Sequence, residues 1–229
     1  VICALRDTDS FGLIEVARLE WEKFSAKSLK AVRDTYEKHK DRDFTRLHLD
    51  HVPVIDEDNQ TVDYMSIIKE AIDLGYDSVM VDGSRLSLAE NIKATGSVAE
   101  LAQASNIPVE GELGAVAGHE SGPMPPYEEL FASGKGFTDL REAQKFVKET
   151  CVDWLSIAFG NIHGAISKSK RSEKKVQARL DIEHLKRLQS VTAVPMVLHG
   201  GSGIQIEYVR EAVKNGIAKI NIGTTIRQV

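Results

Sequence analysis

The feature that most constrains the fold of this chain is a regular alternation between short apolar runs and longer amphipathic segments. Seven runs have the length of a β-strand and are bounded by Gly, Pro, Asp or Asn. They are residues 1–5, 44–49, 78–81, 108–113, 154–159, 195–198 and 218–222. The segments between them carry apolar residues at helical spacing, such as Ile68, Ala71 and Ile72 before Gly75. This order predicts repeated βαβ units.

Repeated βαβ units form a parallel sheet with helices on its outer face, because the crossovers share one hand. Seven such strands predict an α/β fold of the (β/α)₈ type, a TIM barrel, with strand 1 and the C-terminal helices outside the given sequence. We therefore expect residues 1–229 to form a single barrel domain, incomplete at both ends, of a longer native protein. A doubly wound sheet is the alternative, but it usually has a glycine-rich turn after its first strand.

Charge and cysteine content exclude several classes of protein. The chain has 34 acidic and 29 basic residues, a net charge of −5, which argues against a nucleic-acid coat or a basic membrane-binding protein. No apolar run approaches the roughly 20 residues that span a bilayer. Cys3 and Cys151 lie too far apart in sequence for a CxxC site, which fits a reducing compartment. We expect a cytoplasmic protein that binds neither nucleic acid nor membrane.

Reactive side chains occur where the predicted strands end. His51, His163 and His199 follow three of them, and Glu112 ends a fourth. The C-terminal ends of barrel strands converge on the face that holds the active site. Histidine nitrogen and carboxylate oxygen are suitable ligands for Zn²⁺ or a similar divalent metal. Each histidine alone would more often be structural, but the three together favour a metal site assembled from separate strands.

Two glycine-rich segments indicate an anion site and a loop. Residues 199–203 and 221–224 follow the predicted seventh and eighth strands, where such barrels commonly bind phosphate through backbone N–H groups. Residues 114–126 are too rich in Gly and Pro for a helix and predict a mobile loop over the site. Glu120 lies in that loop, either as a solvated carboxylate or as a base delivered when the loop closes.

A set of motifs in a fixed order is similar to one known family. The motifs are residues 48–51 (HLDH), 110–114 (EGELG) with 118–120 (GHE), 159–164 (FGNIHG), 198–203 (LHGGSG) and 219–224 (KINIGT). Together they resemble the class II, metal-dependent ketose-bisphosphate aldolases, which include fructose- and tagatose-bisphosphate aldolases. Each motif alone is modest evidence, whereas the ordered set is specific and covers most of the chain.

The resemblance implies a metal site. His51, His163 and His199 would hold a catalytic Zn²⁺, with Glu112 at a nearby carboxylate position that is a ligand in some metal states. Asp82 matches a further carboxylate near the metal. The family pattern also has room for a second divalent metal and for a monovalent cation, Na⁺ or K⁺.

The resemblance also implies residue roles in a reversible aldol cleavage of a phosphorylated ketose, such as fructose 1,6-bisphosphate, to dihydroxyacetone phosphate and an aldehyde. Asp50 would exchange a proton with the C4 hydroxyl, Glu120 with the ketone-side carbon, and Asn221 would hydrogen-bond the enediolate. The phosphate and monovalent-cation region would comprise Gly164, Gly200, Ser202, Gly223 and Thr224. A homodimer or homotetramer acting in carbohydrate metabolism, as in glycolysis, is the corresponding expectation.

Departures from the family pattern leave the substrate open. Gly223 stands where the family commonly has Asp, and Ser167 where it commonly has a lysine near phosphate. Arg6 and Asp7 stand where a serine usually contacts phosphate, if residues 1–5 are the first visible strand. The ketose, the aldehyde and the native metal are therefore not fixed by the sequence. A metal-dependent sugar-phosphate epimerase or isomerase and a non-catalytic binding barrel are the alternatives.

Overall fold

The fold is a seven-stranded parallel sheet in a computed structural model that describes residues 1–114, 126–161 and 178–227. Each strand pairs with its neighbours in sequence, so the order is β1 to β7 without exchange. The strands are β1 Gly12–Val16, β2 Thr45–Pro53, β3 Ser78–Asp82, β4 Val109–Leu113, β5 Trp154–Ile157, β6 Met196–Leu198 and β7 Ile217–Ile220. The expected α/β class with parallel strands is confirmed.

Ten helices accompany the sheet in the described part of the chain. They are α1 Ile2–Asp7, α2 Arg18–Glu22, α3 Leu29–His39, α4 Tyr64–Asp73, α5 Leu88–Gln103, α6 Tyr127–Ser133, α7 Leu140–Thr150, α8 Ile182–Val191, α9 Ile206–Lys214 and α10 Thr224–Arg227. Local sequence starts several of them, as at α5, where Ser87 and Glu90 form a reciprocal capping box. The main hydrophobic core lies between the helices and the sheet, where Ile68 and Phe146 are fully buried.

The sheet is strongly curved, so its two edge strands approach each other. Lys219 Nζ on β7 lies 3.0 Å from Glu15 Oε1 on β1. Among the described residues, β1 and β7 share no backbone pairing, so the sheet is a half-barrel and not a closed eight-stranded barrel. The sequence predicted seven strands in this chain and placed the eighth strand of a barrel outside it. Polar side chains from several strands therefore meet on its concave side.

The prediction for the first strand was wrong. Residues 2–5 lie in α1, with Val1 as its N-cap, and the first strand is Gly12–Val16. A short apolar run does not distinguish a helix from a strand by periodicity, and this run has only strand length. The end of the first strand is therefore Val16, followed by Ala17 and Arg18. Arg6 and Asp7 consequently do not occupy the strand-end position inferred for them.

Within the described ranges, every helix is too short or too polar to cross a lipid bilayer.

Candidate active site and metal centre

Strand geometry directs three pairs of polar residues to the concave side of the sheet. Side chains two positions apart on a strand share a face. His48 and Asp50 on β2 form one such pair, Glu110 and Glu112 on β4 another, and Lys219 and Asn221 at the end of β7 a third. In each pair, the second residue lies nearer the C-terminal end of the strand. The pairs therefore create two levels of polar groups, one above the other.

His51 reaches the upper level through an irregularity in β2. Consecutive strand residues normally point to opposite faces, so Asp50 and His51 would be separated. The register between β2 and β3 shifts between Leu49 and Val52, and His51 has a φ of 116°. A non-glycine residue in this region is strained, by about 1–3 kcal/mol, and such strain is typical of functional sites. The irregularity brings both side chains to the same site.

The upper level contains a group of four residues that we call the ligand cluster: His51, Asp82, Glu112 and His199. Glu112 Oε2 lies 3.7 Å from His51 Nε2 and 3.8 Å from His199 Nδ1. Asp82 Oδ2 lies 3.5 Å from His51 Nδ1. The two imidazole rings have centroids 5.6 Å apart. Strands β2, β3 and β4 and the residue after β6 thus contribute one member each.

The donor atoms of the ligand cluster fit a divalent metal. One atom each from His51, Glu112 and His199 lies within 4.8 Å of the others. Ligands on a tetrahedral zinc lie roughly 3.4 Å apart, close to the separations observed here. Two imidazoles and one carboxylate are the ligand types of catalytic zinc sites, which keep a position for substrate. His163, predicted as a further ligand, lies outside the described residues.

Burial and neighbouring charges shift the acid–base properties of this cluster. Burial, followed by the charge of Asp82, raises the pKa of Glu112 to about 7. Burial alone would lower the pKa of His199, but the Glu110 hydrogen bond and nearby carboxylates raise it to about 9. The carboxyl group of Glu112 is thus disfavoured as an anion by its surroundings, and a bound cation would stabilise the ionised form.

Gly83, which follows Asp82 at the end of β3, leaves room for the Asn91 side chain to bond the end of β4 at Glu112. A Cβ atom at residue 83 would lie 2.1 Å from Asn91 Oδ1, so only glycine permits this approach. Asn91 Nδ2 donates a hydrogen bond of 3.0 Å to the backbone oxygen of Glu112. Asp82 Oδ1 accepts a bond from the Ser84 backbone N–H at 2.8 Å, which fixes the carboxylate beside His51. The Asp-Gly-Ser sequence therefore has a structural basis.

Asp50 and Asn221 lie directly beside the ligand cluster. Asn221 Nδ2 donates to Asp50 Oδ1 at 3.1 Å and lies 3.1 Å from His199 Nε2. Burial would raise the pKa of Asp50, but the charge of Lys219, followed by that of His199, lowers it below its ordinary value. Asn221 Oδ1 is buried and has no hydrogen-bond partner among the described residues. This acceptor is available to a hydroxyl group of a bound molecule.

The lower level contains a second group that we call the lysine cluster: Glu15, His48, Glu110 and Lys219. Lys219 Nζ donates to Glu110 Oε2 at 2.7 Å and lies 3.1 Å from His48 Nε2. The other oxygen of Glu110, Oε1, lies 2.8 Å from His199 Nε2. Glu110 and His48 are fully buried. Glu110 therefore links the lysine cluster to the ligand cluster through a single carboxylate.

The pKa values in the lysine cluster follow from burial and from Lys219. Burial, followed by the Lys219 charge, lowers the pKa of His48 to about 3, so this imidazole is neutral. Burial alone would raise the pKa of Glu110, but Lys219 and the His199 hydrogen bond lower it well below its usual range. Burial, followed by the charge of Asp50, raises the pKa of Glu15 to about 7.

The predicted phosphate region is only partly within the described residues. The loop after β6 approaches the end of β7, where the Gly201 N–H donates to the backbone oxygen of Asn221 at 3.0 Å. Ser202 Oγ accepts from the Thr225 N–H at 3.3 Å. Gly200 has a φ of 70° and Gly223 is exposed. Glu120 and Gly164 lie outside the described residues, as does the side chain of Thr224.

Sequence reasoning missed Glu15 and Glu110 as site neighbours and left the direction of Lys219 open. The sequence contained a signal for Glu110 and Lys219. They stand two positions before Glu112 and Asn221, and residues two apart on a strand share a face. Glu15 had no such signal, since its strand was not recognised. His184 on α8 is half-buried, and its Nε2 lies 2.8 Å from the backbone oxygen of Thr138.

Comparison with known proteins places the chain in one family. The profile described as "Fructose-bisphosphate aldolase class-II" matches residues 1–229. A 6-phospho-5-dehydro-2-deoxy-D-gluconate aldolase from Shouchella clausii is 40% identical over 178 residues, 78% of this chain and 52% of that protein. A fructose-bisphosphate aldolase from Geobacillus stearothermophilus is 35% identical over 156 residues, 68% of this chain and 49% of that protein. The chain spans about half the length of these curated relatives.

Solved structures of aldolases are also similar to this chain. The YdjI aldolase from Escherichia coli K12 superimposes with a TM-score of 0.72 at 28% identity, covering 99% of this chain and 71% of that one. The fructose-bisphosphate aldolase from Campylobacter jejuni shares the fold with a TM-score of 0.72 at 20% identity, covering 98% of this chain and 68% of that one. Because the family profile matches residues 1–229 and the Shouchella clausii aldolase is 40% identical over 78% of this chain, the chain belongs to the class II fructose-bisphosphate aldolase family.

Proposed function

We propose that this chain carries the active site of a metal-dependent lyase that reversibly cleaves a phosphorylated ketose to dihydroxyacetone phosphate and an aldehyde. The observation that carries the proposal is the contact between the ligand cluster and the Asp50–Asn221 pair. Aldol cleavage needs stabilisation of negative charge on the ketone side and an acid–base group on the aldehyde side. The two groups stand side by side here.

His51, Glu112 and His199 would hold the metal, with His163 as a further ligand and Asp82 orienting His51. A divalent metal in this position supplies Lewis-acid stabilisation of the negative charge that develops when the carbon–carbon bond breaks. The family resemblance makes Zn²⁺ the proposed catalytic metal. A second divalent metal near Asp82 and a monovalent cation, Na⁺ or K⁺, near Gly200 and Gly223 belong to the same proposal.

Asp50 would take the proton of the C4 hydroxyl during cleavage and return it to the aldehyde oxygen during condensation. Its low pKa keeps it ionised, as a proton acceptor must be. Asn221 would orient Asp50 through Nδ2 and accept a hydrogen bond from a substrate hydroxyl through Oδ1. Glu120 would exchange the proton of the ketone-side carbon as a second, separate acid–base group.

The proposed substrate is a phosphorylated ketose bound through its phosphate at Gly164, Gly200, Ser202, Gly223 and Thr224. The named relatives act on two different sugars, a bisphosphate and a phosphorylated deoxygluconate, so the class is proposed rather than one ketose. They are all aldolases, which leaves the sugar-phosphate epimerase without an observation in its favour.

We also propose that the seven strands belong to an eight-stranded barrel formed by a single domain. The Lys219–Glu15 contact supports this, because it brings β7 and β1 close enough for one intervening strand to complete the sheet. A cytoplasmic homodimer or homotetramer with a role in carbohydrate metabolism is proposed from the family alone.

The test is an enzyme-coupled assay of triose phosphate release by the native protein across a panel of ketose phosphates, with and without a chelator. Release that the chelator abolishes and that added Zn²⁺ restores would support the proposal and identify the substrate. A fully metallated protein that releases no triose phosphate from any ketose of the panel would contradict it, and interconverted ketoses in the same mixtures would then favour an epimerase.

A further inference from the structure

Lys219 occupies an unusual position for a charged side chain. It lies on β7 with its ammonium on the concave side of the sheet, and only 12% of the side chain is exposed. The interior of a (β/α) barrel is normally filled by branched apolar residues. An ion pair in such a place is often no more stabilising than apolar side chains of similar volume. Stability alone therefore does not explain a lysine here.

The contacts of Lys219 lead to both halves of the site. Towards the metal side, Lys219 bonds Glu110 Oε2 at 2.7 Å, and Glu110 Oε1 lies 2.8 Å from His199 Nε2. Towards the acid–base side, Lys219 Nζ lies 3.8 Å from Asp50 Oδ1, the same oxygen that Asn221 bonds. Asp50 and His199 come from different strands, β2 and the end of β6. The Lys219 ammonium therefore contacts Asp50 directly and His199 through Glu110.

The contact between Glu110 and His199 involves Nε2, the ring nitrogen of His199 that faces away from Glu112. His199 Nδ1 faces Glu112, and Nε2 faces Glu110. A metal-binding histidine usually donates its second N–H to a carboxylate, which fixes the ring, and loss of that partner weakens metal binding about 10- to 100-fold. Lys219 binds the other oxygen of Glu110, Oε2, and so restrains the carboxylate in this position.

We propose that Lys219 is a positioning residue that fixes the His199 imidazole through Glu110 and the Asp50 carboxylate through a direct ion pair. The inference rests on the proposed function for the role of Asp50, but not for the role of His199. Its consequence is that the two halves of the reaction depend on Lys219 unequally. Proton exchange at the ketone-side carbon does not use Asp50, whereas cleavage does.

Three variants separate positioning from stability. Lys219→Met removes the charge and keeps the length of the side chain, but it leaves Glu15, Asp50 and Glu110 as neighbouring carboxylates. The double variant Lys219→Met/Glu15→Gln relieves part of that repulsion and provides folded protein if the single variant is unstable. Lys186→Met is the matched control, because Lys186 on α8 is about half exposed and pairs only with Glu183 among the described residues.

The first measurement is the dissociation constant of Co²⁺, determined from the visible absorption of the bound ion. This measurement needs no substrate. We expect Co²⁺ binding to weaken about 10-fold in both Lys219 variants and to remain unchanged in the control. The second measurement compares triose phosphate release from a ketose phosphate with deuterium exchange at C3 of dihydroxyacetone phosphate. Cleavage should fall about 100-fold in kcat with little change in KM, while exchange, which depends on the metal and not on Asp50, should fall less than 10-fold.

A purely structural role predicts another pattern. Cleavage and exchange would then decrease together, and both would recover in the double variant along with its melting temperature, which would overturn the proposal. Unchanged Co²⁺ affinity in the Lys219 variants would overturn the link to His199. A wild-type protein that binds Co²⁺ but releases no triose phosphate would contradict the proposed function, and the Co²⁺ measurement would still decide whether Lys219 positions His199.

Discussion

The ligand cluster and the lysine cluster lie one above the other, yet they differ in how closely their members approach. In the lysine cluster, Lys219 lies 2.7–3.1 Å from Glu110, Glu15 and His48, within hydrogen-bond range. In the ligand cluster, Glu112 lies 3.7–3.8 Å from the imidazole nitrogens. The lower group includes its own cation, Lys219, whereas the upper group has the spacing of ligands around a bound cation. The comparison teaches that burial of charge alone does not identify a metal site.

The largest effect should come from removing a member of the ligand cluster. His199→Ala should abolish stoichiometric metal binding and reduce cleavage at least about 10³-fold, because the metal contributes several kcal/mol to the stabilisation of developing charge. The measurement is zinc content per chain by mass spectrometry, together with triose phosphate release. His39→Ala on the exposed face of α3 is the control. A His199→Ala protein with one zinc per chain would remove His199 from the ligand set.

The next effect concerns a residue in neither cluster. Glu120→Ala should leave zinc content unchanged and slow deuterium exchange at C3 of dihydroxyacetone phosphate by about 10²- to 10⁴-fold, the usual contribution of a general base. Glu129→Ala, an exposed carboxylate on α6, should have no effect. If exchange in Glu120→Ala proceeds at the wild-type rate, another group performs this step.

A smaller effect should come from the edge of the ligand cluster. Asp82→Asn removes the charge beside His51 Nδ1 and should weaken Zn²⁺ binding about 10- to 100-fold, as expected when the partner of a ligating histidine is lost. Competition with a chromophoric chelator measures this affinity. Asp73→Asn on the exposed end of α4 is the matched control. Equal affinities of Asp82→Asn and wild type would exclude Asp82 from the metal site.

These predictions depend on residues that the sequence revealed to different degrees. The upper level was predictable, because strand ends and family motifs both point to His51, Glu112 and His199. The lower level was predictable only in part. The two-residue spacing places Glu110 and Lys219 on the same strand faces as Glu112 and Asn221, but Glu15 lies on a strand that the sequence did not reveal, and the contacts among the three require the curved sheet. The curvature of the sheet is a property of the packed chain rather than of any one segment.

The smallest effect should appear in the lysine cluster, in the pH dependence of stability. The pKa of Glu15 rises from 4.5 to about 7 on folding. Between these values, the folded chain binds a proton that the unfolded chain releases, so this group makes the free energy of unfolding decrease as pH rises through that window. Glu15→Gln should therefore gain stability relative to wild type between pH 5 and pH 8, by on the order of 1 kcal/mol.

Urea unfolding at the two pH values measures this difference, with Glu149→Gln on the exposed face of α7 as control. A relative stability of Glu15→Gln that is the same at pH 5 and pH 8 would show that Glu15 stays ionised beside Lys219. Glu15, Glu110 and Lys219 would then all be charged, and the contrast between the lysine cluster and the ligand cluster would be larger.

The strict strand order of the sheet has a consequence for synthesis of the chain. Backbone pairing connects only consecutive strands, so most of the sheet can form as each βαβ unit leaves the ribosome. Asn221 and Asp50, however, are 171 residues apart. Glu110 is buried in a strand that is made long before its partner Lys219, which lies 109 residues later. A nascent chain therefore lacks the Lys219 partner of Glu110 until β7 is translated, whereas His51, Glu112 and His199 all precede β7 in the sequence.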